Sequence, residues 1–507
     1  MAASEPTVVA GSIPLVLVAP HGGRRDSVRR PWGTTRLRVN DLHTAALTRE
    51  LAAATGAAAI INADLDRNDV DLNRLSAAHD HAPAFLERLA DQVSAAVAAH
   101  GRALVLRVHG WNVIQPTVDL GVGRKRGEPL DGSAAVSPRF AEHAVPALAR
   151  ALGARDISAT EGARYPARAR ENLVQLFTSR YRDDARPLIR QLAALGVRTE
   201  AMQCELGVPL RGPGAWRRRF VAAGVEALPA LLDPTIAPAG APRGAEPAMA
   251  RPHRHTLEVA GHDAGALVST DAGGGRLLLF PPEGGLALFT GERTGGEAPG
   301  HVGGLRIDHR PDGTLRVRFA GPMMRFPDTT PFVDLERGLA GAHVIEHAVV
   351  DLAFAPHHDG DEFGSVTGAA VLDGRDLDLR GRGFAAGSTE PGPWPRLRIA
   401  LQLARDERLS VTVGLDGGGA SGLLCRGGDH RPVSGAAARL GRPDDPLADL
   451  TLDVELADGE RLTVRPQAVH RLPVVRGGSD VPLRLLYASC RVQGVAGLAG
   501  WCEVGGL

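Results

Sequence analysis

Residues 13–19, 57–63 and 103–108 are apolar runs of strand length, and helical patterns lie between and after them. This alternation constrains the first half of the chain more than any other feature. Short apolar strands that alternate with helices predict a mostly parallel sheet with helices on both faces. Over 83–100, Phe85, Leu86, Leu89, Val93 and Val97 recur at helical spacing, with Gly101 as the stop. A second helix is expected over 137–152, opened by Ser137-Pro138, closed by Gly153 and open to a kink at Pro146.

The texture then changes twice. Residues 233–254 are rich in Pro, Ala and Gly and read as a linker. Beyond them helical periodicity nearly disappears. Alternating stretches such as GTLRVRFA (313–320) and ADLTLDVE (448–455), separated by PDG, LDG and ADG turns, predict an all-β region. The expected division is therefore 1–232 for an α/β domain, 233–254 for the linker and 255–507 for β structure. The last part is expected to form barrels or a sandwich, with subdomains at about 255–345 and 346–507.

Composition excludes several classes. The chain has 507 residues, 44% of them hydrophobic, and a formal net charge of +0, so neither nucleic acid nor an anionic membrane is an expected partner. Lys125 is the one lysine and sits in no phosphate-loop or Schiff-base context. Cys204, Cys425, Cys490 and Cys502 form no CxxC pair, so no cysteine zinc site is indicated. The start lacks a basic segment followed by an apolar one, and a cytoplasmic location is the expectation.

Polar residues stand where apolar strands end, which is where parallel sheets place their sites. His21 follows the first run, His109 ends the third, and Glu205 lies in 199–206, where it alternates with Met202, Cys204 and Leu206. One histidine at a strand end is ordinarily a satisfied loop residue. Two histidines with a carboxylate make a catalytic zinc shell with a position left for water. A further glutamate can serve as the base for that water.

The segments PHGG (20–23), NDLHTAAL (40–47), RNDVDLNR (67–74), VHG (108–110), TVDLGVG (117–123) and MQCEL (202–206) occur in an order that resembles the N-formylglutamate amidohydrolase family. The resemblance spans about residues 13–220 and implies a fold similar to the zinc carboxypeptidases. It implies one zinc ion, with His21 and His109 as ligands and Asp41 as the third. His43 and Asp26 are the alternatives to Asp41. Asp41 also reads as a first-turn carboxylate of a helix capped by Asn40. Glu205 would be the general base, and Arg67 would polarise the scissile carbonyl or contact substrate. Arg74, with Asn73, would hold a substrate carboxylate, and Arg164 would contact an acidic or polar substrate. Asp71 would orient Arg74 or the backbone. Where that family carries D-x-H-S, this chain has Arg107-Val108-His109-Gly110, so an arginine stands in place of the acid.

The implied function is zinc-dependent hydrolysis of an N-acyl, N-formyl-like amino acid or a related small-molecule amide. The alternatives are an esterase or carboxypeptidase-like zinc enzyme, and a non-catalytic small-molecule-binding protein. In the second half, VIEHAVVDLAFAPHHDGDEFG (344–364) and the glycine-rich end resemble the double lipocalin-like domains of the carotenoid hydratase and AttH group. His347, Asp351, His357, His358, Asp359, Asp361 and Glu362 form a second metal candidate, with a polar turn between strands as the alternative.

Overall fold

A computed structural model describes residues 5–22, 41–233 and 255–505, apart from Ala63, Asn68, Asn112 and short stretches between strands of the second half. The chain separates into two compact units, which are taken in turn.

The first unit is built on a seven-stranded sheet. Its strands are β1 (Thr7–Val9), β2 (Leu15–Ala19), β3 (Ala58–Ile61), β4 (Ala103–Trp111), β5 (Thr117–Gly121), β6 (Ser158–Glu161) and β7 (Thr199–Gly207). Their spatial order is β1-β3-β2-β4-β7-β5-β6. Strands β3, β2, β4 and β7 run parallel. The sheet is mixed, with most pairings parallel as expected: β1 is antiparallel to β3, and β5, itself parallel to β6, is antiparallel to β7.

Strand alternation divides the apolar side chains between two cores. Leu15, Leu17, Leu104, Leu106 and Met202 face one side, with helices α1 (Thr44–Thr55), α4 (Pro138–Gly153) and α6 (Ala215–Leu232). Val16, Val18, Val105 and Ala201 face the other, with α2 (Leu75–His81), α3 (Pro83–His100) and α5 (Pro187–Leu195). Helices thus cover both faces, as the sequence implies. Each buried Leu or Val contributes roughly 1.5–3 kcal/mol relative to exposure. Local signals fix the helix ends. The Ser137 hydroxyl accepts from the Phe140 N–H at 3.2 Å, and Gly56 and Gly101 close α1 and α3 with φ of 79° and 73°. Helix α4 continues through Pro146 as a single element.

The second unit is all β. One curled antiparallel sheet has 11 strands and the other has nine. In the first, strand Leu286–Glu292 pairs with both Gly274–Phe280 and Leu315–Phe326, so the hydrogen bonding closes on itself. Period-two burial drives this, as where Leu315, Val317 and Phe319 are buried while Arg316 and Arg318 are exposed. The expected subdomain boundary at 345/346 is wrong. Strand Val344–Pro356 crosses it and belongs wholly to the first sheet, which ends with Gly381–Ala386, and the second sheet begins at Arg396. Cys490 and Cys502, distant in sequence, lie on neighbouring strands with sulfurs 3.2 Å apart. Apart from Asp233, the expected linker lies outside the described residues. Among the described residues no helix is long and apolar enough to cross a membrane.

Candidate metal centre

One face of the first unit's sheet changes character along its length. On β4, Ala103 and Val105 pack in the apolar core, and Arg107 and His109 follow on the same side. On β7, Ala201 is followed by Gln203 and Glu205. Arg107 pairs in register with Gln203, and His109 with Glu205. The carboxyl ends of the parallel strands therefore present a buried polar floor. His21, in the turn after β2, and Asp41 complete it.

The ligands expected from the sequence converge. Nδ1 of His21 lies 3.1 Å from Asp41 Oδ2, and Nδ1 of His109 lies 3.2 Å from the same oxygen. The two imidazoles meet edge to face, with centroids 5.0 Å apart. His21, Asp41 and His109 each offer a ligand atom within 4.8 Å of the others, and all three are buried. Among the described residues this group can hold a metal ion.

The local chain explains the convergence. The Asp41 N–H donates to the His21 carbonyl at 3.1 Å, and the Thr44 hydroxyl donates to the Asp41 carbonyl at 2.8 Å. The first-turn reading of Asp41 is corrected, because α1 begins at Thr44 with His43 at its N-cap, so the Asp41 carboxylate is left to face the histidines. His43 has φ of 63°, makes no side-chain cap and lies outside the convergent trio. Asp26 and Asn40 lie outside the described residues. Asn62 pins the next loop: its amide donates to the carbonyls of Pro20 and Leu65 at 2.8 and 2.9 Å.

That loop carries Arg67, Asp71, Asn73 and Arg74. Asp71 accepts from Nε2 of His21 at 2.8 Å and from the Asn73 N–H at 3.0 Å. This contact was not anticipated, since Asp71 was expected to orient Arg74 or the backbone. It holds the His21 proton on Nε2 and turns the Nδ1 lone pair toward the trio. Arg67 donates to Asp41 Oδ1 at 3.4 Å. Arg74 is exposed, with Nε 3.8 Å from Asp71. Asn73 is turned instead to Arg107, accepting from Nη1 at 2.5 Å. The Arg164 backbone N–H donates to the buried Asp119 carboxylate, which also takes the N–H groups of Ala163 and Tyr165.

The electrostatics suit a cation. Burial pushes the Asp41 carboxyl up, but His21, His109 and Arg67 outweigh it and hold the group well below the ordinary carboxylate range. Burial pushes Asp71 up too, and His21, Arg67 and the Asn73 N–H more than reverse that. Burial drives His109 down to about 3, so its imidazole is neutral, the form that binds metal. Burial and then the Asp41 charge push Glu205 up to about 8, against Arg67 and Arg211. Gln203 Nε2 donates to Glu205 Oε1 at 2.7 Å. Two observations show that the residues present fit a metal ion. Ring nitrogens of two histidines lie within 3.2 Å of one carboxylate oxygen, an arrangement that a cation among them would satisfy. His109 Nε2 is buried without a hydrogen-bond partner.

Arg211 was missed, and nothing in a bare arginine code could have flagged it. It is fully buried and donates to the carbonyls of Leu206, Leu42 and Trp111 at 3.0, 2.6 and 3.1 Å. It thereby ties the ends of β7 and β4 to the segment bearing Asp41. Gly110 is required by it: a Cβ there would meet Arg211 Nη1 at 2.5 Å and the Asp41 Cβ at 2.9 Å. Gly110→Ala is therefore expected to destabilise the protein by about 1–3 kcal/mol and to reduce metal retention. Thermal unfolding and metal content check this, and an unchanged midpoint would count against it.

The second metal candidate does not assemble among the described residues. Asp351 is engaged by Arg316, with Nε and Nη2 at 3.0 and 2.7 Å from its two oxygens. His358, Asp359, Asp361 and Glu362 lie outside the described residues.

No protein-family model matches the chain, and the search of curated proteins found no match. Among solved structures, the chain matches an N-formylglutamate amidohydrolase from Ralstonia eutropha JMP134. The identity is 14%, the match covers 45% of this chain and 97% of that one, and the TM-score is 0.31. It also matches the structure of CghA at 10% identity, over 50% of this chain and 87% of that one, with a TM-score of 0.30.

Proposed function

We propose that the first unit is a zinc-dependent amidohydrolase acting on an N-acyl amino acid or a related small-molecule amide. The observation that carries this reading is the convergence of His21, Asp41 and His109 beside Glu205 on the neighbouring strand. The order of motifs along the sequence supports it.

Two imidazoles and one carboxylate suit zinc, and three protein ligands would leave a position for water. A zinc ion bound there supplies Lewis acidity, which makes water nucleophilic near neutral pH and polarises an amide carbonyl. The chain's own groups do the rest. Glu205 takes a proton from the attacking water as the C–O bond forms. It then gives that proton to the leaving nitrogen as the C–N bond breaks, releasing an acid and an amine. Gln203 orients the Glu205 carboxylate. Arg67, held by Asp41, is placed to stabilise negative charge developing on the carbonyl oxygen. Asp71 fixes the tautomer of His21. The β unit is read as an appended lipocalin-like element for substrate selection, on the strength of its curled antiparallel sheets.

Hydrolysis of a panel of N-formyl and N-acetyl amino acids tests the proposal. Amine release is expected from at least one member, with loss on chelation and recovery on adding zinc. Release that survives complete metal removal, or no release from any member, would contradict it.

A further inference from the structure

Arg107 is 1% exposed and sits two residues before His109 on the same side of β4. Its Nη1 donates to the side-chain oxygens of Asn73 and Asn172, at 2.5 and 3.2 Å. Both partners are neutral amides. Asn172 is itself fixed, donating to Gln203 Oε1 at 3.0 Å and accepting from the Val174 N–H at 2.9 Å. Nε and Nη2 of Arg107 are buried and have no hydrogen-bond partner.

Those two nitrogens form one edge of the guanidinium. Elsewhere in this protein the same edge holds carboxylates. Arg316 grips Asp351 through Nε and Nη2, and Arg186 grips Asp184 in the same way at 2.8 and 2.9 Å. In Arg107 the same edge is buried and meets no acid among the described residues. Asp71, Glu205 and Asp41 act on it only through longer-range attraction. Charge points the same way. Asp41, Asp71 and Glu205 offset Arg67, Arg107 and Arg211, so a divalent cation on the ligands leaves positive charge in excess.

We propose that the free edge of Arg107 binds a carboxylate of the ligand. The backbone positions of Arg107 and His109 are two strand residues apart, about 7 Å at the usual rise. That spacing selects molecules with a free carboxylate a few bonds from the group facing the metal ligands. Burial excludes competing water and strengthens both charge-assisted hydrogen bonds. Arg107, rather than the exposed Arg74, then sets the preference for acids. In calling the ligand a substrate this rests on the amidohydrolase reading, but the binding does not.

The test is calorimetric titration of the zinc-loaded full chain with N-formyl amino acids and with their carboxamides, which lack the charge. Wild type is expected to bind the best acid roughly 10–100-fold more tightly than its carboxamide, the size of a charge-assisted hydrogen bond. In Arg107→Met this ratio should fall to about one, with zinc content retained. Arg107→Lys keeps the charge without the fork and should fall between; it decides the matter if the Met variant fails to fold. A ratio unchanged in Met, or in Lys where Met does not fold, would overturn the proposal, as would a wild type without preference. Turnover in the same samples separates the two ideas. Preferential binding of acids without hydrolysis leaves Arg107 standing and removes the amidohydrolase reading. Hydrolysis of acid and carboxamide at equal rates does the reverse.

Discussion

Glu205→Gln is expected to keep its zinc, lose at least about a thousandfold in turnover, and become more stable when metal-free at pH 8. The first two results follow from position. Glu205 stands outside the His21, Asp41 and His109 trio, so its loss removes the base without removing a ligand. The amide oxygen of glutamine can still accept from Gln203. The third follows from linkage. Burial and the Asp41 charge raise Glu205 to about 8 in the fold, whereas an unfolded glutamate titrates near about 4.3. Between these values the folded chain holds more protons than the unfolded one. The stabilisation from the protonated carboxyl is complete below about pH 4 and is lost as pH rises toward 8. Glutamine removes that slope, with a gain on the order of 5 kcal/mol at pH 8. Urea unfolding of metal-free wild type and variant at pH 5 and pH 8 checks the sign. Equal slopes would show that Glu205 ionises normally, and normal turnover would remove it from the mechanism. A base held in the wrong protonation state without metal is what a site organised around a cation should show.

Much of the first unit was legible because its signals are local. Apolar runs give β2, β3 and β4, alternation gives β7, and Ser137 and Gly101 mark helix ends with groups that act within a few residues. Strands β5 and β6 were missed as sheet members because the pairing of β5 with β7 from the opposite direction, and of β6 with β5, are long-range choices. The boundary drawn at 345/346 failed for the same reason: alternation identifies strand Val344–Pro356 but not the sheet it joins. At the site, the strand-end histidines and Glu205 were found by period and by order of motifs. What supports them was not. Asp71 reaches His21 across 50 residues, and Arg211 reaches the Leu42 carbonyl across 169. No spacing rule encodes such contacts. Asn73, expected beside substrate, accepts from Arg107, a partner fixed only once β4 lies against the loop after β3.

Replacing either histidine has the second large effect. His21 and His109 share the Asp41 oxygen, and each is more than 97% buried, with relative exposures of 1% and 2%. Removing one imidazole leaves two protein ligands where a structural or catalytic zinc site uses at least three. It also leaves the buried Asp41 carboxylate without one of its two imidazole partners, which the remaining histidine and Arg67 do not replace. Affinity should drop by orders of magnitude, enough to empty the site on dialysis. Elemental analysis of the dialysed full chain measures this directly. About one zinc per chain is expected in wild type and almost none in His21→Ala or His109→Ala. A wild type that retains no metal, or variants that retain as much as wild type, would contradict this expectation.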